Sequence, residues 1–180
     1  WSPNGNELAR IVTDQMGGTR LEIIKLSNWY SRTIFVRPGI TALSWIKPDK
    51  LLVAEGPRII SINLSEETIV TEFEWETAAR FLLYGSDDFY PSIVHISCLE
   101  EKRVVEVRWH RQGKTAISSI YQWLESELSH MSMLDSHRYP ILLRNKQMLL
   151  STDEGIVGVN EKGERLWMRL IPGLISAVPC

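Results

Sequence analysis

The sequence predicts an all-β fold made of repeated units of antiparallel strands. The clearest unit is residues 58–75, RIISINLSEETIVTEFEW, where two short runs of alternating residues flank a polar turn. Apolar and polar residues that alternate over two runs joined by a turn are typical of a half-buried β-hairpin. The same pattern recurs in three other stretches, residues 21–38, 104–123 and 155–172.

The spacing of these predicted hairpins indicates how the sheets are arranged. They begin at intervals of about 40 to 50 residues, the period expected of the blades of a β-propeller. We therefore expect a β-propeller or partial propeller of about four four-stranded antiparallel blades, all within one domain of residues 1–180. The predicted repeats are residues 1–38, 39–77, 78–135 and 136–180. Two forms stay open at this point, a small closed ring and a segment of a larger ring.

Composition and charge argue against some classes of function. Hydrophobic residues make up 44% and charged residues 23% of the 180-residue chain, so the chain can fold around one sizeable core. The formal net charge of −2 argues against a general nucleic-acid surface, which would be strongly basic. No apolar run approaches the roughly 18 residues of a membrane span, and the start of the chain lacks the layout of a signal peptide. We expect a cytoplasmic protein without a membrane span.

The chain opens on a turn. In residues 1–5, WSPNG, proline restricts φ while asparagine and glycine tolerate a positive φ, and a strand is expected from Leu8 onward. Together with the following E-L-A at residues 7–9, this turn resembles the W-S-P-D-G turn of TolB-type and WD40-like propeller repeats, which joins the first strand of a blade to the second. Asn4 stands where those repeats carry aspartate, so no role of that aspartate is transferred.

This resemblance implies that the chain begins inside a blade whose first strand is missing. We expect residues 174–178 to pair beside residues 8–12 and close the ring, because an open edge strand exposes unpaired backbone groups. The other possibility is that residues 174–178 lead into further blades.

The third repeat contains the least regular stretch. Its first two strands are expected near residues 79–84 and 92–98, followed by the third hairpin. We interpret residues 124–137 as an insertion, and we expect residues 124–134 within it to form a short helix or a loop. An alternative stays open in which apolar residues at spacings of three and four continue a helical face from Ile117 to Leu128.

The last repeat carries a second resemblance. Residues 155–167, GIVGVNEKGERLW, are similar to the PQQ-type propeller repeat G-x-V-x-A-x-D-x-x-T-G-x-x-x-W. The matching residues are Gly155, Val157, Gly163 and Trp167, whereas Asn160 and Lys162 differ from the pattern. The resemblance implies that this tryptophan packs between neighbouring blades. It does not imply a bound quinone cofactor.

Tryptophan is abundant, with seven in the chain, and five of them fall in the predicted hairpins. A tryptophan side chain covers about 150–250 Å², so we expect these residues to seal the interfaces between blades. The alternative is that one of them stacks on a ligand. The five residues are Trp29, Trp75, Trp109, Trp123 and Trp167.

No stretch predicts a bound metal or cofactor. The histidines lack the spacing of zinc ligands, and Cys98 and Cys180 lie too far apart in sequence for a metal knuckle or a disulfide framework. The one alternative is that His130, Asp135 and His137 meet in a single loop.

No stretch predicts catalysis either. No serine lies in a G-x-S-x-G elbow, and the acidic pair Asp87 and Asp88 has no second partner for general acid–base chemistry. We therefore predict no catalytic, cofactor-binding or metal-binding residue, and a chain that is not an enzyme.

The predicted function is a non-catalytic scaffold that mediates protein–protein interaction within a multi-subunit complex. Repeated hairpins make a stiff frame, while loops that depart from the repeat carry recognition. The segments that depart most are residues 85–91 and 124–137. The predicted partner-binding residues are Asp87, Asp88, Phe89, Tyr90, Glu125, Glu127, His130, Asp135 and His137. The alternative is the propeller domain of an enzyme, which gates a hydrolase or holds a ligand in its central channel.

Overall fold

The computed structural model confirms the all-β fold class, with strands and no helix in the residues that it describes. Those residues are 1–74, 89–99, 102–111, 114–124, 127–133, 138–142, 147–152, 154–160, 162 and 164–171.

The strands form antiparallel sheets, each built from strands that are consecutive in the chain. Sheet 1 contains β1 (Glu7–Thr13), β2 (Thr19–Lys25) and β3 (Tyr30–Val36). Sheet 2 contains β4 (Ile40–Lys47), β5 (Lys50–Glu55), β6 (Arg58–Asn63) and β7 (Thr68–Glu74). Sheet 3 contains β8 (Phe89–Leu99), β9 (Lys102–Arg111), β10 (Lys114–Leu124) and β11 (Glu127–Met133). Sheet 4 contains β12 (Arg138–Leu142), β13 (Met148–Ser151), β14 (Gly155–Val159) and β15 (Arg165–Leu170).

Each of the four predicted hairpins is present. They are β2–β3, β6–β7, β9–β10 and β14–β15. In sheets 1, 2 and 4 the hairpin forms the last two strands, but in sheet 3 it forms the second and third. Residues 92–98 belong to β8, which lies at one edge of sheet 3. They were predicted to form the second strand of the repeat, but among the described residues they form the first strand of the sheet. The strand expected at residues 79–84 lies outside the described residues, as do residues 174–178.

The prediction of a helix or loop in the insertion is wrong, because β11 pairs along β10 as a fourth strand of sheet 3. The helical alternative that began at Ile117 is wrong as well, since β10 is a strand over its whole length. A register shift explains the error: Ile120 pairs with Ser132 and Tyr121 with His130, which leaves Met131 as an extra residue. Such a β-bulge interrupts the two-residue period by which a strand is recognised in sequence.

The core lies between successive sheets, as the middle strands of sheet 2 illustrate. On β5, Leu51 and Val53 pack against sheet 1, whereas Leu52 and Ala54 pack against sheet 3. Successive side chains of a strand point to opposite faces, so this unbroken apolar run buries both faces of the sheet. Sheet 2 is therefore enclosed between its two neighbours.

The same face-to-face packing continues into sheet 4. Val104 and Ile120 of sheet 3 form a third buried cluster with four residues of sheet 4, namely Met148, Leu150, Val157 and Val159. The four sheets therefore stack in chain order, each against the next, which is how the blades of a propeller pack.

Hydrogen bonds at the first strands link the sheets to one another. The Ile93 N–H on β8 donates to the Gly56 carbonyl at 2.9 Å, and the Thr41 hydroxyl on β4 donates to the Ile93 carbonyl. Between sheets 1 and 2, the Thr19 hydroxyl donates to the Arg37 carbonyl and accepts the Ile40 N–H at 3.1 Å. These bonds fix the lateral positions of sheets 1, 2 and 3 relative to one another, which apolar packing alone leaves free to slide.

Two of the four predicted tryptophans that the structure describes have the expected role. Trp109 and Trp123 are fully buried between sheets 2 and 3, as predicted. Trp29 is 74% exposed, so its predicted sealing role is wrong. Trp167 lies on sheet 4 but not between two described sheets, and Trp75 lies outside the described residues. The buried Trp45, which was not among the five, seals sheet 1 against sheet 2.

Candidate interaction surface

The described members of the predicted partner-binding set all lie in sheet 3. Phe89 and Tyr90 begin β8, while Glu127 and His130 lie in β11. The other members, Asp87, Asp88, Glu125, Asp135 and His137, lie outside the described residues.

The two described groups are not brought together. β8 and β11 are the opposite edges of sheet 3. Phe89 pairs with Arg111 at one end of the sheet, and Glu127 pairs with Leu124 at the other end. Ten residues of strand separate these ends, about 33 Å at the usual rise per residue. A single small contact surface cannot include both groups.

A different set of exposed aromatic residues lies at one end of sheet 1. Trp29 and Tyr30 occupy the β2–β3 turn and the start of β3, and Tyr30 is 63% exposed. Trp1 lies at the same end, because the turn that follows it receives a hydrogen bond from the Leu26 N–H to the Asn6 carbonyl at 2.9 Å. We refer to Trp1, Trp29 and Tyr30 as the aromatic edge.

The N-terminal turn beside the aromatic edge has the tight geometry that its sequence predicts. The Ser2 hydroxyl donates to Asn4 Oδ1 at 2.8 Å and accepts the Glu7 N–H at 2.9 Å. Asn4 Oδ1 also accepts the Asn6 N–H at 3.1 Å, and Gly5 has a φ of 72°. The amide oxygen of asparagine thus supplies the acceptor that an aspartate would supply here.

Trp29 is held in an unusual backbone conformation. Its φ is 57°, in the left-handed region that bulky side chains rarely adopt. Glu67, at the end of the β6–β7 turn, has a φ of 55°, so both hairpins use the same turn geometry. Glycine adopts this conformation without strain, whereas other residues pay a cost of roughly 1 kcal/mol. The turn itself therefore gives no reason for a tryptophan at this position.

A charged cluster lies on the outer face of sheet 1, the face that points away from sheet 2. Glu22 is buried there under two arginine side chains, with Arg20 Nε at 2.7 Å from Oε1 and Arg10 Nη2 at 2.8 Å from Oε2. Hydrogen bonds from Arg20 and then Arg10 lower the pKa of Glu22 despite its burial. The two arginines therefore favour the charged form of the carboxylate, and both arginine side chains remain about half exposed.

A second polar network lies between sheets 2 and 3. The Arg103 guanidinium stacks over the Trp123 ring, 4.8 Å from its centroid. Glu72 accepts a hydrogen bond from Lys50 Nζ at 3.0 Å. Burial acts to raise the pKa of Glu72, but hydrogen bonds from Ser61 and Lys50 and the positive charges of Lys50 and Arg103 outweigh it, so this pKa is lowered.

Cys98 belongs to the same interface and is not placed for chemistry. Burial raises the pKa of its thiol, against the opposing effects of a hydrogen bond with Ser44 and the charge of Arg103. A raised pKa leaves little thiolate near neutral pH, and the thiolate is the reactive form. Cys98 in this form is therefore a poor nucleophile.

Within the described ranges, no group of three His, Cys, Asp or Glu side chains is placed to hold a metal ion. The alternative site of His130 with Asp135 and His137 falls partly outside those ranges, so it stays untested. None of the described residues belongs to a helix long and apolar enough to cross a bilayer.

Comparison with known proteins identifies the fold. No family model and no curated protein matches the sequence. Among solved structures, the β-propeller domain of the Trilobed protease from Pyrococcus furiosus is 20% identical, with a TM-score of 0.58 over 91% of this chain and 53% of that chain. Oligogalacturonate lyase in complex with manganese is 10% identical, with a TM-score of 0.62 over 94% of this chain and 50% of that chain. A chain in the crystal structure of the mitotic checkpoint complex is 10% identical, with a TM-score of 0.53 over 94% and 49%.

These similarities establish a β-propeller fold, and the chain spans about half the length of these three structures. Their sequence identities are too low to transfer an activity.

Proposed function

We propose that this chain is a non-catalytic propeller scaffold of the cytoplasm that binds a protein partner within a complex, through the aromatic edge. The observation that carries the proposal is Trp29, a large apolar side chain that is 74% exposed on a left-handed backbone. Strained residues persist where function requires them, and tryptophan and tyrosine are enriched in protein–protein contacts.

The frame beneath the aromatic edge is suited to this role. β2 contributes Leu21 and Ile23 to the buried cluster between sheets 1 and 2, so the strands that carry the turn are anchored. Exposed Lys25 and Arg32 flank the aromatic residues and supply a polar rim. An apolar centre with a polar rim, held on a rigid sheet, is the usual composition of a protein-binding patch.

The test exploits the two matching turns. Trp29→Gly removes the indole and also relieves the backbone strain, whereas Glu67→Gly relieves the same strain in the β6–β7 turn only. Tagged full-length chains carrying each substitution would be isolated from the source cells, and the co-purifying proteins quantified by mass spectrometry. The recovered amount of a partner that contacts Trp29 should fall by about tenfold or more with Trp29→Gly and should be unchanged with Glu67→Gly. Equal recovery with both variants would exclude the aromatic edge as the partner surface.

The residues predicted from sequence remain a second proposed surface. Because β11 is a paired strand, deleting it would disturb sheet 3, so point substitutions are the appropriate test. Tyr90→Ala and His130→Ala lie at the two edges of the sheet and should be compared separately. Loss of partner with one and not the other would show which edge takes part.

The alternative proposal is a propeller domain of an enzyme. One of the similar structures is the propeller domain of a protease, and this chain spans about half of it. If the alternative holds, the native gene product should contain a further domain with a G-x-S-x-G elbow and hydrolyse peptide substrates. A native product without such a domain favours the scaffold.

A further inference from the structure

The outer face of sheet 1 is not covered by any described sheet. Ala9 and Leu21 belong to the buried cluster between sheets 1 and 2. Successive side chains of a strand point to opposite faces, so the neighbouring Arg10, Arg20 and Glu22 point outward. Sheets 2 and 3, by contrast, bury both of their faces against neighbouring sheets. Sheet 1 therefore presents an open sheet surface.

Two arginines and one glutamate occupy the middle of this face, and we refer to them as the arginine site. Arg10 contacts Glu22 Oε2 through Nε at 2.9 Å and through Nη2 at 2.8 Å, while Arg20 Nε lies 2.7 Å from Oε1. The Glu22 side chain is 9% exposed, whereas those of Arg10 and Arg20 are 53% and 44% exposed. One buried carboxylate therefore holds two guanidinium groups in place and leaves one positive charge in excess.

The arginine site keeps hydrogen-bond donors that Glu22 does not use. A guanidinium group carries five N–H donors, in a planar arrangement that matches a carboxylate. The side-chain contacts that the described residues make with Arg20 engage Nε alone, so both of its terminal amino groups can bind a second anion. Because Glu22 fixes the guanidinium groups beforehand, a second anion orders few additional side-chain bonds when it binds.

Apolar side chains surround the arginine site. Leu8 and Val12 lie on the same face of β1, on either side of Arg10, and both are only partly buried. Val36, the cross-strand partner of Arg20, is 68% exposed. A small inorganic anion leaves these side chains in water, whereas a protein surface covers them. The composition of this face therefore favours a polypeptide as its occupant.

Two junctions between described sheets show what an arginine at a sheet contact meets. Where sheets 1 and 2 meet, Glu55 Oε2 on β5 lies 3.6 Å from Nη1 of Arg37, which follows β3. Where sheets 2 and 3 meet, burial acts to raise the pKa of Glu72 on β7, and the positive charge of Arg103 on β9 is one of the effects that lower it. Each junction thus brings a carboxylate from one sheet near an arginine from its neighbour.

We propose that a protein partner covers the outer face of sheet 1 with an apolar surface that carries an aspartate or glutamate opposite Arg10 and Arg20. The carboxylate of the partner accepts hydrogen bonds from the arginine site and balances its excess positive charge, and this complementarity selects an acidic partner. The surface is distinct from the aromatic edge, which lies at the strand ends of sheet 1. The two proposals therefore fail separately, since Trp29→Gly tests one surface and a change at Arg20 tests the other.

The first experiment uses dye-labelled poly-L-glutamate as an acidic probe and measures its binding to the 180-residue chain by fluorescence anisotropy. Arg20→Gln should raise the dissociation constant about tenfold, because it removes a charged donor and leaves Arg10 on Glu22. Arg32→Gln is the matched control: it removes the same charge from an exposed arginine of sheet 1 whose cross-strand partner, Ile23, faces sheet 2. The control should leave the dissociation constant nearly unchanged, and circular dichroism should be the same for both variants.

Inorganic polyphosphate in the same assay separates a carboxylate from a phosphate. The proposal expects the effect of Arg20→Gln with poly-L-glutamate. An effect of Arg20→Gln on polyphosphate binding alone would assign the site to phosphate and overturn the proposal, as would equal poly-L-glutamate binding by the Arg20→Gln and Arg32→Gln chains.

The second experiment tests the partner itself. Tagged full-length chains carrying Arg20→Gln or Arg32→Gln are isolated from the source cells, and a protein whose recovery falls only with Arg20→Gln is purified. Its aspartates and glutamates are then neutralised one at a time. One of these changes should weaken binding to the wild-type chain and have little further effect on the Arg20→Gln chain, which is the coupling expected of two groups in contact. Recovery of every co-purifying protein that is independent of Arg20, or a partner without a carboxylate coupled to it, would overturn the proposal.

Discussion

The guanidinium of Arg103 lies 4.8 Å from the ring centroid of Trp123, at the interface where sheets 2 and 3 meet. The two residues are cross-strand partners on β9 and β10, so the antiparallel register brings them together. The ring is buried on one side by the apolar residues of both sheets and is covered on the other by a cation. This pair shows how the chain uses tryptophan to hold neighbouring sheets together, and it leads to the first prediction.

Trp123→Ala should lower the free energy of unfolding by about 3–5 kcal/mol. It removes a fully buried ring from the interface and leaves Arg103 without its stacking partner. Urea denaturation followed by circular dichroism measures the change. Trp29→Ala is the control and should change the free energy of unfolding little, because the Trp29 side chain is mostly exposed. A loss below about 1 kcal/mol for Trp123→Ala would contradict the role assigned to this residue.

Gly155→Ala should be more destabilising than Gly158→Ala. A Cβ at residue 155 would collide with the backbone carbonyl of Arg169, and the φ of Gly155 is 157°. A Cβ at residue 158 would collide only with the indole of Trp167, which is partly exposed and can move aside. In urea denaturation we expect the free energy of unfolding to fall by about 2–3 kcal/mol for Gly155→Ala and by about 1 kcal/mol for Gly158→Ala. Equal losses would mean that the Trp167 ring is locked in place.

The stability of the chain should fall in acid through Glu22 and Glu72. Their folded pKa values are lowered from an ordinary value of 4.5, so the folded form binds the proton less readily than the unfolded form. The stabilisation is present above pH 4.5 and is lost as the pH falls through the folded pKa.

Denaturation of the wild-type chain and of Glu72→Gln between pH 7 and pH 3 measures this dependence. The variant should be less stable than the wild type at pH 7, and the difference should disappear at the acid end of the range. A difference that stays constant with pH would rule out the charge of Glu72 as its cause.

Cys98 should react slowly with thiol reagents while the protein is folded. Its thiol is partly buried and its pKa is raised, so both access and the thiolate fraction are reduced. The measurement uses a Cys180→Ser background, so that only one thiol is counted. Reaction with a chromogenic disulfide should become fast only when urea unfolds the chain. Rapid modification at pH 7 without urea would contradict the burial of this residue.

Local sequence patterns identified most of the strands, and the exceptions have a physical cause. The hairpins β2–β3 and β6–β7 alternate regularly, and their turn residues lie where the pattern breaks. β11 was missed because the extra residue Met131 shifts the alternation within seven residues. A bulge is stabilised by pairing with the neighbouring strand, so a pattern confined to the bulged strand does not reveal it.

The candidate surface was harder to predict than the fold. Trp29 was expected to seal two blades because it lies in a hairpin, yet it occupies the last position of the turn, where its side chain points into solvent. The sequence did offer one signal that Trp29 lies in the turn. Trp29 follows Asn28 at the last position of a four-residue turn, and such a position favours glycine. Residues 124–137 were expected to form a helix or a loop, yet they contain the paired strand β11.

The sequence by itself determined that this protein is built from β-hairpins repeated at the interval of propeller blades, because alternation and turn chemistry are local properties of the chain. Only the tertiary structure decided which face of each strand is covered and which tryptophans are buried. Trp123 and Trp167 are the same residue type in similar hairpins, and they differ because one faces a neighbouring sheet while the other faces away from the described sheets. Burial depends on what packs against a residue, and that partner lies far away in sequence.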